Sequence, residues 1–105
     1  MRRLEFIIEG QRLRKDPSCD FTGIIPGTRH YLETHFTFNE DWDKCVCVAE
    51  FYNESGDADA VLIENCKCEV PDIVLDDANF TLKVIGKRKD GYFITTNQIK
   101  ITQGG

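Results

Sequence analysis

The chain lacks any apolar run longer than a few residues, and it holds only three prolines, two histidines, one methionine and one tryptophan. Without an apolar stretch of about 18 residues there is no candidate membrane-spanning helix, and no membrane partner is expected. Behind Met1 come Arg2, Arg3, Leu4 and Glu5, with no apolar h-region and no small-residue cleavage site, so a secretory signal is not expected either. Positive charge is also short. Thirteen basic against 18 acidic side chains leave a formal charge of −5, the wrong sign for a dedicated phosphate-backbone binder, and nucleic acid is not expected as a partner. Finally, no long segment keeps a helical period, which excludes a helix bundle.

What remains is the composition of one small folded domain spanning residues 1–105. Hydrophobic residues make up 41% and charged residues 30%, too apolar for a disordered tail. A chain of this mass is expected to fold to about 6,000 Å² of surface around one modest core. The charge is uneven: residues 1–30 carry a net +2, residues 31–79 a net −11 and residues 80–105 a net +4. Such a chain has basic ends and an acidic middle, which favours contacts between unlike faces.

Short runs of β-branched and aromatic residues separated by turn clusters predict an all-β chain. Leu4–Glu9 and Arg12–Lys15 read as an edge hairpin around Gly10-Gln11, and Cys19–Ile24 as a further extended piece. His30–Phe38 alternates, with Leu32, Thr34, Phe36 and Phe38 on the core face. Cys45–Tyr52 and Ala58–Glu64 flank a loop at Asn53–Asp57. Cys66–Val70 is a short strand, and Asp72–Asp77 a connecting or single helical turn. Phe80–Gly86 alternates Phe80, Leu82 and Val84 inward, and Lys89-Asp90-Gly91 is a hairpin turn leading into Tyr92–Thr102. Seven to nine short strands predict an immunoglobulin-like antiparallel β-sandwich. Leu32, Phe36, Phe38, Trp42, Phe51, Leu82 and Val84 form the expected core, and Gln103-Gly104-Gly105 a terminal low-complexity tail.

Four of the five cysteines stand as Cys45/Cys47 and Cys66/Cys68, each pair on one face of a strand. A Cys₄ zinc site is the sharper interpretation, but sulfurs two residues apart on a straight strand are poorly placed to share a tetrahedral ion. With an odd count and no signal peptide, reduced thiols acting as small apolar residues are expected, and no cofactor. A hairpin centred on Ser55-Gly56 would set Cys45 opposite Cys66, within reach of a disulfide. His30 and His35, five apart, point to opposite faces of one strand and cannot share a metal there. No activating loop or oxyanion turn accompanies any thiol, so the chain is not expected to be an enzyme. Glu40, Asp41 and Asp43 lack the spacing of a calcium loop. They surround Trp42 at a polar corner, which is read as an acidic contact surface. Arg12, Arg14 and Lys15 supply its basic counterpart on an edge strand.

The series Pro26-Gly27-Thr28-Arg29-His30-Tyr31-Leu32 and Phe36-Thr37-Phe38-Asn39-Glu40-Asp41-Trp42, followed by Ala49-Glu50-Phe51, Cys68-Glu69-Val70-Pro71, Asp90-Gly91 and Ile94-Thr95-Thr96-Asn97, covers roughly residues 24–102. In order and spacing it resembles the small immunoglobulin-like domains of phage and prophage structural proteins, including the amino-terminal domains of baseplate upper proteins. Cys45, Cys47 and Cys66 depart from that pattern, and no fibre repeat follows. The resemblance implies a non-enzymatic virion module of tail, baseplate or head fibre, assembled in the bacterial cytoplasm and partnered by other virion proteins or by itself. Two other functions suit a small acidic domain: a phage-encoded inhibitor that blocks a host protein, and a carbohydrate-binding module of a host-recognition structure, the latter supported by one exposed Trp and a few Tyr.

Overall fold

The computed structural model describes residues 1–104, leaving Gly105 of the expected tail outside the described residues. The strands are β1 (Arg2–Glu9), β2 (Arg12–Lys15), β3 (Leu32–Phe38), β4 (Val46–Tyr52), β5 (Ala58–Leu62), β6 (Lys67–Glu69), β7 (Asn79–Lys87), β8 (Phe93–Thr95) and β9 (Ile99–Thr102). They form an all-β sandwich. The first sheet has the order β2-β1-β3-β6, and the second the order β5-β4-β7, with β8 and β9 following one another along the far edge of β7.

The inward rows are those the alternation dictates: Leu4, Phe6 and Ile8 on β1, Leu32, Thr34 and Phe36 on β3, Cys47, Ala49 and Phe51 on β4, and Phe80, Leu82 and Val84 on β7. Phe6 stacks on Phe36 at 5.5 Å, and Phe36, Phe38 and Trp42 continue the aromatic series at 6.0 and 5.4 Å toward one end of the sandwich. The surface area is 6016 Å², as the scaling for this mass requires.

Three expectations need correction. β1 and β3 run parallel, from Arg2 opposite Leu32 to Ile8 opposite Phe38. Parallel neighbours need a long crossover, and the chain provides it with residues 16–31, so Cys19–Ile24 is not a strand. That segment is instead pinned by single contacts: Arg2 donates to the carbonyls of Asp20 and Thr22, and Ile24 is buried.

Tyr92–Thr102 is interrupted. At Thr96 the side-chain hydroxyl, not a backbone carbonyl, accepts from the Val84 N–H at 3.0 Å, and Asn97 leaves the second sheet for the first. Trp42 lies in the core as expected, and the third correction concerns only its other expected role, in a contact surface. The 3₁₀ turn Glu40–Trp42 rolls its indole inward until only 4% is exposed, and Nε1–H donates to the Gly10 carbonyl at 2.8 Å. Its ring lies against Gly86, where an added Cβ would stand 2.8 Å from Cε3 and Cζ3. Trp42 is a core residue, and its ring is not available to a contact surface.

Candidate protein-interaction surfaces

The cysteines are dispersed by the local backbone. Asn65 and Cys66 both have positive φ, 54° and 62°, and Glu64 and Lys67 exchange two backbone hydrogen bonds across them. This two-residue turn carries the chain from the second sheet to the first and leaves Cys66 exposed at its tip. Cys68, two residues on, is buried beside Thr34, whose hydroxyl is 3.1 Å from its sulfur. Burial pushes the Cys68 thiol up to about 11, and burial, with Cys45 and Cys66 nearby, does the same for Cys47.

The β4–β5 register pairs Val48 with Leu62 and Tyr52 with Ala58, so the hairpin is centred on Ser55. Cys45 therefore falls in register with Asn65 and not with Cys66, which removes the expected cross-strand pairing. All five cysteines are free thiols, and no group of three or more His, Cys, Asp or Glu among the described residues is arranged to hold a metal ion. Cys45, Cys47 and Cys66 do line one open cleft of about 850 Å³, walled by Phe36, Phe38, Trp42 and Ile63, at the end of the sandwich. His30 lies before β3, against Glu69 at 3.3 Å, whereas His35 bonds Glu33 at 2.6 Å, and that hydrogen bond holds the Glu33 carboxyl below its usual range.

The basic strand is β2, and it is not a free edge. Leu13 is buried, and its N–H and carbonyl are both taken by the Asn97 amide. Arg14 pairs with Glu9 at 3.2 Å, and Lys15 sits over the Phe21 ring at 5.2 Å. Of the three, Arg12 is the exposed cation without such a partner. At the acidic corner Glu40, Asp41 and Asp43 are exposed, but Asp41 turns back toward the Gly10 turn and its carbonyl accepts from the Tyr92 hydroxyl at 2.9 Å. Arg12 and Asp41 thus flank the same turn of one molecule.

The two outer faces of the sandwich differ in kind. That of the first sheet alternates charges: Arg3, Glu5 and Glu9 on β1, Arg12 and Arg14 on β2, Glu33 and His35 on β3, Lys67 and Glu69 on β6. Such a face is stable in water. On the second sheet the register sets Leu62, Val48, Ile85 and Thr95 in one row and Val46, Lys87 and Phe93 in the next. Val46 is 67% exposed, Phe93 56% and Leu62 48%. Val46 and Phe93 stand on either side of Lys87, and with Leu62, Val48 and Ile85 in the adjoining row they form a largely apolar patch of the sort that marks a contact surface.

One end of this patch is basic. Lys44, Lys87, Arg88 and Lys89 border Val46, with Asp90 the sole acidic residue among them, and the Arg88 guanidinium stacks on Tyr92 at 3.6 Å. The alternation rule could have shown the patch, because Val46, Val48, Ile85 and Phe93 occupy outward positions of their strands. The sequence does not reveal it, because the inward partners Cys47, Ala49, Val84 and Ile94 are apolar too, and a run apolar on both sides does not show which side is free. Comparison with protein-family models, with curated proteins and with solved structures finds no match to this chain.

Proposed function

We propose that the protein is a non-enzymatic assembly module of a phage or prophage virion, in tail, baseplate or head fibre, that works by protein–protein contact. The observation that supports a contact function is the apolar outer face of the second sheet, with Val46, Leu62 and Phe93 exposed and a basic border beside them. The virion assignment rests on the resemblance of residues 24–102 to phage structural domains. The contact surface is thereby moved from Arg12, Arg14 and Lys15, whose strand is occupied by Asn97, to the opposite sheet. Burial of Trp42 takes away the larger of the aromatic platforms on which a carbohydrate-binding role rested, leaving Tyr31 exposed.

A pull-down of the virion structural proteins on the purified domain tests this, with Val46→Glu and Arg12→Glu/Arg14→Glu as variants. A virion partner retained by the native domain, lost with Val46→Glu and kept with the Arg12/Arg14 pair supports the proposal. Retention of no virion protein, with capture of a host protein instead, would overturn it in favour of an inhibitor.

A further inference from the structure

On the side of β5 that faces β6 a hydrogen-bonded ladder starts and stops. Glu64 and Lys67 exchange backbone hydrogen bonds at 3.0 and 3.1 Å across the Asn65-Cys66 turn, the first pair of an antiparallel ladder. The residues beyond them do not continue it, because β6 turns away to β3, where Cys68 stands opposite Thr34 and Glu69 opposite Glu33. β5 stays beside β4 at the edge of the other sheet.

The register tells which backbone groups this leaves free. The Ile63 N–H donates to the Cys47 carbonyl and the Asn53 N–H to the Asp57 carbonyl, both at 2.9 Å. An antiparallel ladder bonds alternate residues, so Asp59 and Val61, between those two, also turn their N–H and C=O toward β4. Ala58, Ala60 and Leu62 turn theirs the other way, where no strand among the described residues pairs with them, and all three are exposed. Other edges are closed or guarded by charge. Asn97 caps β2 at Leu13, the Gln11 amide takes the Thr95 carbonyl on β8, and Lys67, Glu69 and Lys100 stand on β6 and β9. β5 holds neither lysine nor proline, and Asp59 is its single charge.

Where β5 and β6 part lies an open groove of about 340 Å³, lined by Glu33, Glu64, Glu69, Lys67, Val61 and Cys68. Three carboxylates against one cation make it acidic, and exposed Asp59, on the same side of β5 as Val61, adds to it. A strand added to β5 sends alternate side chains toward this groove and lays the others alongside Ala58, Ala60 and Leu62. A second copy of β5 brings its own acidic groove with it, like charge against like, whereas a cationic strand is complementary. We propose that the free edge of β5 binds an extended segment of a partner polypeptide by strand addition, a segment alternating lysine or arginine toward the groove with apolar residues on its other side. The backbone edge is the recognition element, so this site is independent of the contact surface around Val46 and Phe93.

Titration of the whole chain with a short peptide of alternating lysine and valine, read by amide NMR and hydrogen exchange, is the test. The expected result is saturable binding between micromolar and millimolar peptide, with the Ala58, Ala60 and Leu62 amides gaining about tenfold protection or more. Ala60→Pro deletes an edge N–H that points away from β4, leaves the β4–β5 ladder intact, and should weaken binding about tenfold. Asp59→Lys/Glu64→Lys, at two exposed positions, should weaken the lysine peptide to a similar degree and transfer preference to a peptide of alternating glutamate and valine. Val46→Glu should leave peptide binding unchanged, which separates this site from the surface proposed above. No saturation by millimolar peptide, protection confined to other amides, a folded Ala60→Pro chain that binds as well as the native one, or a native chain that prefers the glutamate peptide would each overturn the proposal. Should Ala60→Pro fail to fold, the amide protection of the native chain and the exchange of charge preference decide between the same two results.

Discussion

The Asn97 side chain makes two hydrogen bonds to the backbone of Leu13, a residue 84 positions away: Oδ1 accepts from the Leu13 N–H at 2.8 Å, and Nδ2 donates to its carbonyl at 3.1 Å. A side-chain amide thereby substitutes for a strand neighbour, closing the edge of β2 and tying the first sheet to the second. The Asn97 N–H, bound to the Gln11 carbonyl at 3.2 Å, and the Gln11 amide, bound to the Thr95 carbonyl at 3.2 Å, extend the seam.

Asn97→Ala is expected to cost about 1–3 kcal/mol, because it leaves a backbone donor and acceptor of Leu13 without partners. It should also raise aggregation, since an opened edge strand is a template for another chain. Urea denaturation and light scattering measure the two effects. An unchanged midpoint would show that water replaces the amide without loss.

Gly86→Ala is expected to destabilise by about 1–3 kcal/mol through overpacking, for its new Cβ meets the Trp42 ring at 2.8 Å. The single tryptophan makes the displacement visible as a shift in fluorescence. Phe36→Ala removes a ring that stacks on Phe6, and should cost about 3–5 kcal/mol. A Gly86→Ala protein with native fluorescence and stability would contradict the packing described.

Thiol labelling at pH 8 should proceed in a fixed order. Cys66 is exposed at its turn and reacts first, Cys19 and Cys45 are intermediate, and Cys47 and Cys68, buried and held up to about 11, react only on unfolding. Mass spectrometry of timed alkylation reads the order, and early modification of Cys68 would contradict it.

The same burial predicts alkaline instability. Cys47 and Cys68 stay neutral in the fold up to about 11, whereas an unfolded thiol ionises from about 8.5 upward. Between those values the folded state holds more protons than the unfolded one, so stability is complete below about pH 8.5 and falls as pH rises toward 11. Tyr52, pushed up to about 12 by burial and then by its bond to Glu50, extends the decline. A melting temperature unchanged from pH 8 to 10.5 would disprove the linkage, and Cys68→Ala should reduce its slope.

The sequence by itself determined the fold class, most strand positions and the core. Period-two alternation is a local property, and Leu32, Thr34, Phe36, Phe51, Leu82 and Val84 lie inward because neighbours in a strand must face opposite ways. Only the tertiary structure decided what depends on distant partners. Gln103, part of an apparently loose tail, is 2% exposed because its amide bonds the Val74 and Asp77 carbonyls. The parallel β1–β3 pair, the break at Thr96-Asn97 and the choice of Gly86 as the surface under the Trp42 ring likewise join residues far apart in the chain. A one-residue shift in the register of the β4–β5 hairpin moved Cys66 out of line with Cys45. The apolar face was hidden for a related reason: where both sides of a strand are apolar, only the position of the other sheet decides which one faces water.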